Sequence, residues 1–351
     1  MRTTRSSPRL AVLAAMGAFL LPVGVMRVEN GHARTRLPDD QPRVQAVPPG
    51  CSSTADRVFK SCRKTASGKY RQAVHRCEVL LDGGNQLICS ENAFVVMLNA
   101  RGRCDKQRAA RRQVCDSLGE APYDPPVAPE NFVRSIDNPF LPCVPGTARA
   151  YEGETVDGMA RRVLEVTSDV HRILGVVCTV VKEHLYLNGV LTRQSYAYFA
   201  QDTQGNVWSF GRLSYGLEKK VFVRREDSWE AGVNAAAPGI VMPAVPRVGD
   251  VHRRNYLPAK LEDMSAIVSL QESVRVPLGR FARCLEIEDW TPIEPDIVVD
   301  RFYAPGIGLI LEVDAVTGSR LELVDMSGSP PSPPSADVPA RSPRAVVNHL
   351  P

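Results

Sequence analysis

Residues 51–115 read CSSTADRVFKSCRKTASGKYRQAVHRCEVLLDGGNQLICSENAFVVMLNARGRCDKQRAARRQVC. The six cysteines of this stretch are spaced as a palindrome about Gly83, inside the turn sequence Asp-Gly-Gly-Asn at 82–85. In two antiparallel helices joined at such a turn, residues equidistant from the turn lie opposite each other. The stretch therefore predicts a helical hairpin, with helices over 52–81 and 86–117, and three disulfides: Cys51–Cys115, Cys62–Cys104 and Cys77–Cys89.

The helical periodicity supports this pairing, although other arrangements stay open. Successive cysteines within each predicted helix are 11 or 15 residues apart. Because a helix turns by about 100° per residue, these spacings place the cysteines of one helix on one face. Six cysteines allow fifteen connectivities, and Gly68 and Gly102 are positions at which the helices could divide. A metal cluster is disfavoured, because no CxxC occurs and only His75 lies nearby.

The predicted hairpin, residues 51–118, is strongly basic. It contains 13 Lys or Arg against 6 Asp or Glu, a net charge of +7, whereas residues 119–351 carry −7. This contrast predicts either docking of the hairpin on the rest of the chain or binding to an anionic envelope surface. A solvated, arginine-rich helix surface is the third interpretation. Nucleic acid is not expected as a partner, since no aromatic residues alternate with the basic ones near Arg108, Arg111 and Arg112.

The N-terminus resembles a secretory signal peptide over residues 1–33. Arg2, Arg5 and Arg9 precede an apolar run over 10–26, and Gly31-His32-Ala33 is typical of a cleavage site. An uncleaved signal anchor is the alternative. Cleavage predicts an exported protein, periplasmic or extracellular, without a transmembrane span, and an oxidising compartment in which cysteines pair. Residues 34–50 are interpreted as a linker, and 327–351, with Ser-Pro-Pro-Ser-Pro-Pro, as a disordered tail.

The composition excludes a fully disordered chain and gives no sign of a cofactor. Among the 351 residues 44% are apolar and 23% charged, and the net charge is +4. GxSxG, HExxH, the P-loop and CxxCH are all absent. We therefore assign neither a catalytic residue nor a cofactor or metal from the sequence.

Beyond a linker at 119–130, residues 131–326 have the pattern of an antiparallel β domain. Short β-branched and aromatic runs alternate with turn residues, of which Asn188-Gly189 is the strongest hairpin signal. The fold class is therefore α+β, a disulfide-braced helical hairpin followed by a large β half-barrel or barrel-like domain. Glu286, Glu288 and Glu312, which alternate with apolar residues, are interpreted as the solvent face of the sheet. The predicted strands are 148–155, 161–171, 175–187, 190–201, 206–212, 218–225, 250–257, 265–276, 281–290, 297–303, 308–314 and 320–325.

Two features of the β domain need a separate interpretation: the segment 227–250, which lacks the pattern of short strands and turns, and the three remaining cysteines. Residues 227–250 contain three prolines and predict a long apolar loop, which acts either as a lid over a ligand or as a plug in one end of the barrel. Cys178 and Cys284 lie within predicted strands and are expected to form a fourth disulfide. Cys143 is then unpaired, either free or bonded between chains.

Several segments of the β domain resemble an uncharacterised family of bacterial exported proteins. They are Asn-Pro-Phe-Leu-Pro-Cys-Val-Pro-Gly-Thr at 138–147, Gly-Asn-Val-Trp at 205–208, Ser-Trp-Glu-Ala-Gly at 228–232 and Tyr-Ala-Pro-Gly-Ile-Gly-Leu at 303–309. The pattern over 281–309 is similar, more loosely, to periplasmic β half-barrel proteins. This resemblance implies export and a β half-barrel, and it transfers no catalytic role.

We expect a non-enzymatic protein that binds an apolar or amphipathic ligand in the β domain, with the hairpin docking on it or gating it. One alternative is a hydrolase of an envelope polymer with cleft carboxylates near Glu230 and Glu294. Another is a structural or adhesion module. The candidate ligand-binding residues are Trp208, Trp229, Met242, Trp290 and Tyr303.

Overall fold

The computed structural model describes residues 49–80 and 82–328. Two antiparallel helices come first, α1 at Cys51–Leu80 and α2 at Gly83–Leu118. Both are continuous through Gly68 and Gly102. The predicted signal peptide at 1–33, the linker up to residue 48 and the tail from residue 329 lie outside the described residues.

The three disulfides predicted from the mirrored spacing are confirmed. The Cα–Cα distances are 5.6 Å for Cys51–Cys115, 5.9 Å for Cys62–Cys104 and 5.8 Å for Cys77–Cys89. These distances are typical of unstrained disulfides. The α2 helix starts three residues earlier than predicted, because Gly83 to Asn85 form its first turn rather than a loop.

The β domain is a sheet of sixteen antiparallel strands with a short 3-10 turn at Pro129–Asn131 before it. Most strands match the predicted ones within three residues. Their bounds are β1 Phe132–Val133, β2 Ala148–Thr155, β3 Gly158–Ile173, β4 Val176–Leu187, β5 Val190–Asp202, β6 Val207–Glu218, β7 Val221–Arg224, β8 Trp229–Glu230, β9 Ala237–Met242, β10 Val251–Arg253, β11 Asn255–Tyr256, β12 Met264–Val276, β13 Gly279–Trp290, β14 Val298–Ala304, β15 Gly308–Asp314 and β16 Arg320–Ser327.

The sheet curls into a nearly closed barrel. Its strand order is β10-β12-β13-β14-β15-β16-β2-β3-β4-β5-β6-β9-β11. The two outer strands, β10 and β11, are consecutive in the chain and separated by Arg254 alone. Because β10 pairs with β12 and β11 pairs with β9, this one segment joins both edges of the sheet. The closure leaves few unpaired strand edges, which is the usual advantage of a barrel.

Turn residues set the register of the hairpins. Asn188 and Gly189 have φ values of 50° and 79°, the left-handed pair that a tight two-residue turn requires. The turn joins β4 to β5 with Leu187 opposite Val190. The hairpin predicted from Asn-Gly is therefore confirmed.

The prediction that 227–250 is one long loop is wrong, because the segment contains strands β8 and β9. Trp229-Glu230 pairs with β6 at Gly211 and Arg212, and β9 pairs with β6 at 207–209. Pro238 lies within β9 and Pro243 follows it directly, whereas Pro246 lies in the turn region before β10. Gly211 permits the approach, since a Cβ there would lie 2.8 Å from the Trp229 carbonyl oxygen.

The predicted Cys178–Cys284 disulfide is wrong as well. Cys143, Cys178 and Cys284 are all buried free thiols. Cys284 and Cys143 belong to the main apolar core, whereas Cys178 belongs to a second apolar cluster with Ile173 and Phe210. A strand predicted from the sequence does not show which apolar cluster its side chains join. Two cysteines can form a disulfide only where their side chains lie next to each other.

The base of the hairpin docks on the barrel through polar contacts. Arg111 Nε donates to Glu262 Oε2 at 2.7 Å, with both side chains buried. One turn earlier, Gln107 donates to the Ile293 carbonyl oxygen at 2.6 Å, and Lys106 pairs with Asp296 at 2.8 Å. The docking expected from the charge contrast is therefore present. Neither described helix is both long enough and apolar enough to cross a membrane.

Candidate functional site

A cavity of about 300 Å³ lies between the β5–β6 wall of the barrel and the β13–β14 wall. The closing segment, through Arg254 and Asn255, borders it. Two indole rings, Trp229 and Trp290, provide aromatic surface. Charged side chains supply the polar part of the lining: Arg212, Arg254, Arg301, Asp263 and Asp289.

The structure brings together two of the five residues predicted to bind a ligand. Trp229 and Trp290 line the cavity. Met242 and Tyr303 are buried in the main apolar core, so they fill the barrel rather than face a ligand. Trp208 packs against the second apolar cluster, and its indole nitrogen donates to Asp202 at 2.8 Å. Met242, Tyr303 and Trp208 therefore do not line this cavity.

Asp289 is the centre of the polar wall. Arg254 donates to it at 2.6 Å, and Arg301 and the Ser265 hydroxyl also contact its carboxylate. The Asp289 side chain is 8% exposed. One buried carboxylate therefore orients both guanidinium groups. Because the two groups are already in place, binding a ligand costs little conformational entropy in these side chains.

A second ion cluster separates this cavity from another of about 300 Å³ between β3–β4 and β14–β15. Glu312 accepts from Arg162 at 3.1 Å and from Arg301 at 2.8 Å. Burial alone would raise the pKa of Glu312, but the charges of Arg162 and Arg301 outweigh it and hold the pKa well below its ordinary range. The prediction that Glu312 faces solvent is wrong, since a closed barrel turns this face of β15 inward.

Arg212 has hydrogen-bonding capacity that its neighbours do not use. One terminal nitrogen donates to Glu183 at 3.3 Å and to Ser195 at 3.1 Å. Its Nε is buried and has no hydrogen-bond partner among residues 49–80 and 82–328. A buried donor without an acceptor is costly, so the positive charge of Arg212 is only partly compensated by its neighbours.

No feature of the sequence pointed to these arginines. Each of them lies in or beside a strand: Arg212, Arg254 and Arg301. The alternation of apolar and polar residues in these strands is compatible with an arginine on the inner or on the outer face of the barrel. The inward face could be recognised only from the closure of the barrel, which depends on pairings between distant strands. The tryptophans were identifiable because large aromatics are frequent in binding cavities.

The carboxylates proposed for hydrolysis do not line this cavity. Glu230 lies 3.4 Å from His171 at a half-exposed position, and Glu294 is exposed in the β13–β14 loop. Burial and the charge of Arg254 lower the pKa of His252 to about 4, so this imidazole is a weak base. Within the described residues no group of three or more His, Cys, Asp or Glu side chains is placed to hold a metal ion.

No protein-family model and no curated protein matches the chain. A solved structure described as a putative lipoprotein from Parabacteroides distasonis aligns with 54% of this chain and 98% of its own length. The sequence identity is 12% and the TM-score is 0.30. The resemblance of the β-domain segments to a bacterial exported family therefore stays a prediction.

Proposed function

We propose that this protein is an exported binding protein whose barrel takes a small amphipathic ligand with an anionic group. The observation that carries the proposal is Arg212, which lines a cavity between Trp229 and Trp290 and whose buried Nε has no hydrogen-bond partner among the described residues. An anionic group would accept from Arg212, and an aromatic or short aliphatic part would pack on the indoles. The cavity volume lies at the lower end for ligand sites, which favours a small compound.

Two further features support binding rather than hydrolysis, and export rather than the cytosol. Asp289 is neutralised by Arg254 and Arg301, so it is poorly suited to accept a proton from water. Three disulfides in one hairpin are typical of proteins that fold in an oxidising compartment. The periplasm and the extracellular space both meet this condition.

Tryptophan fluorescence tests the proposal, because two of the three tryptophans line the cavity. Indole-free aromatic carboxylates, such as benzoate derivatives, are titrated beside their neutral amides and the matching amines. We expect the carboxylates to bind best. Arg212→Gln should weaken their affinity by about tenfold or more, since hydrogen bonds to charged groups contribute about 1.5–3 kcal/mol.

Trp208→Phe is the matched control, because Trp208 lies outside the cavity lining. This variant should keep both the affinity and most of the fluorescence change. Equal affinity for carboxylates and amides, or unchanged carboxylate binding in Arg212→Gln, would contradict an anion-selective site. Mass spectrometry of compounds retained by protein purified from its native host then identifies the natural ligand.

A further inference from the structure

The half of the hairpin that extends beyond the Cys62–Cys104 disulfide has an unusual surface. We call residues 63–103 the distal hairpin. Its α2 side exposes a series of large apolar side chains, with 46–65% of each accessible to solvent: Leu87, Ile88, Phe94, Val95, Val96 and Leu98. Val79, near the turn, is 65% exposed as well. Contiguous exposed apolar surface of this kind marks an interaction site.

Most of these side chains share one face of the helix. At about 100° per residue, Leu87, Ile88, Phe94, Val95 and Leu98 fall within an arc of about 120°. The inward-facing Cys89, Met97 and Cys104 lie on the opposite side, toward α1. Glu91, the one acidic residue between Leu87 and Leu98, lies at the centre of this arc. The other positions of the arc over 87–98 are apolar, so α2 has an apolar outer face that one exposed carboxylate interrupts.

The charges of the distal hairpin identify its partner. It has seven Lys or Arg and three Asp or Glu, a net charge of +4. Nearer the barrel, the basic residues Arg108, Arg111 and Arg112 pair with Asp56 or Glu262. In the part of the chain that the structure describes, five exposed basic residues of the distal hairpin have no ion pair: Lys64, Lys69, Arg71, Arg76 and Arg103.

We infer that the distal hairpin binds the surface of an anionic phospholipid bilayer. The apolar face of α2 would enter the boundary between headgroups and acyl chains, about 5–10 Å deep. The unpaired basic side chains, on two helices about 8–10 Å apart, lie within a Debye length of the headgroups and attract them. A second copy of the chain is a poorer occupant, because two surfaces of the same positive charge repel each other.

The three disulfides make this mode of binding feasible. They fix both helices in water, so the apolar face exists before contact and no helix must fold on the bilayer. The base of the hairpin is held on the barrel by Arg111 and Glu262. Binding would therefore hold the barrel at the membrane without using the cavity, and the inference does not depend on the proposed ligand.

Vesicle flotation with the whole protein tests the inference. The vesicles are phosphatidylcholine alone or phosphatidylcholine with about one-third phosphatidylglycerol. We expect binding to the anionic vesicles, at least tenfold weaker binding to the neutral ones, and release by high salt. Ile88→Ser with Val95→Ser should reduce partitioning by about tenfold or more, since each loses apolar area from the bilayer.

Arg71→Gln with Arg76→Gln should reduce partitioning on anionic vesicles by about 25-fold, about fivefold for each charge removed. Matched controls lie on the barrel: Val170→Ser with Val190→Ser, where the residues are 66% and 55% exposed. These controls should bind as the wild type does. Circular dichroism and disulfide mapping verify that every variant is folded.

Three results would each overturn the inference: no binding to anionic vesicles, equal binding to neutral ones, or the same loss in the barrel controls. A fourth is self-association. If the wild type is a dimer by analytical ultracentrifugation and Ile88→Ser with Val95→Ser makes it a monomer without changing flotation, the apolar face is an interface between copies of the chain.

Discussion

Replacing Glu312 with glutamine removes the carboxylate that Arg162 and Arg301 share inside the barrel. Arg301 keeps Asp289. Among the described residues Arg162 then has no ion pair left and keeps the ring of Tyr151, 5.0 Å from its guanidinium carbon, and the more distant charge of Glu183. Breaking a buried ion pair at one partner costs about 3–5 kcal/mol. We expect about 3 kcal/mol, because Arg162 and Glu312 retain 12% and 16% of their exposure.

For a domain of this size, that loss lowers the melting temperature by about 6–12 °C. Thermal and urea unfolding monitored by circular dichroism measure it. Glu152→Gln is the control, because Glu152 and Arg161 form an exposed pair on the neighbouring strands β2 and β3 and should contribute at most about 1 kcal/mol. If both variants melt within a degree of each other, Glu312 does not neutralise a buried guanidinium group.

The same carboxylate gives a pH dependence with a definite sign. The pKa of Glu312 is lowered in the folded protein from its ordinary value of 4.5. Its contribution is therefore complete above pH 4.5 and is lost as the pH falls toward the lower folded-state pKa. The difference in unfolding free energy between wild type and Glu312→Gln should narrow in this acidic range. A difference that stays constant from neutral pH to pH 3 would contradict the assignment.

Two other predictions concern the thiols and the closure of the barrel. Thiol titration without reductant should find no reactive cysteine in the native protein and three after denaturation, since burial raises the pKa of Cys143 to about 11, that of Cys178 to about 12 and that of Cys284 as well. Fewer than three would reveal a fourth disulfide. Gly239→Ala should destabilise the barrel by at least about 2 kcal/mol in urea unfolding, since its Cβ would lie 2.3 Å from the Arg253 carbonyl oxygen at the closing segment. If Gly239→Ala is as stable as the wild type, the closing segment moves without cost to make room for the added Cβ.

The sequence by itself determined the features that depend on local chemistry. The mirrored cysteines identified the hairpin and its pairing, because helix geometry and disulfide reach relate residues only through their distance from one turn. Asn188 and Gly189 identified a hairpin, because the left-handed turn selects those residue types. Strand positions followed from alternation and turns in the same way.

Tertiary structure alone decided which face of each strand points inward. Glu312 looks like a solvent-facing residue in its strand, yet the closure of the sheet at Val251–Tyr256 buries it with Arg162. The same closure separates Trp229 and Trp290, in the cavity, from Met242, in the core. Alternation along a strand has a period of two and gives no sign of the face. That choice is made by contacts between strands far apart in the chain, which the sequence pattern does not encode.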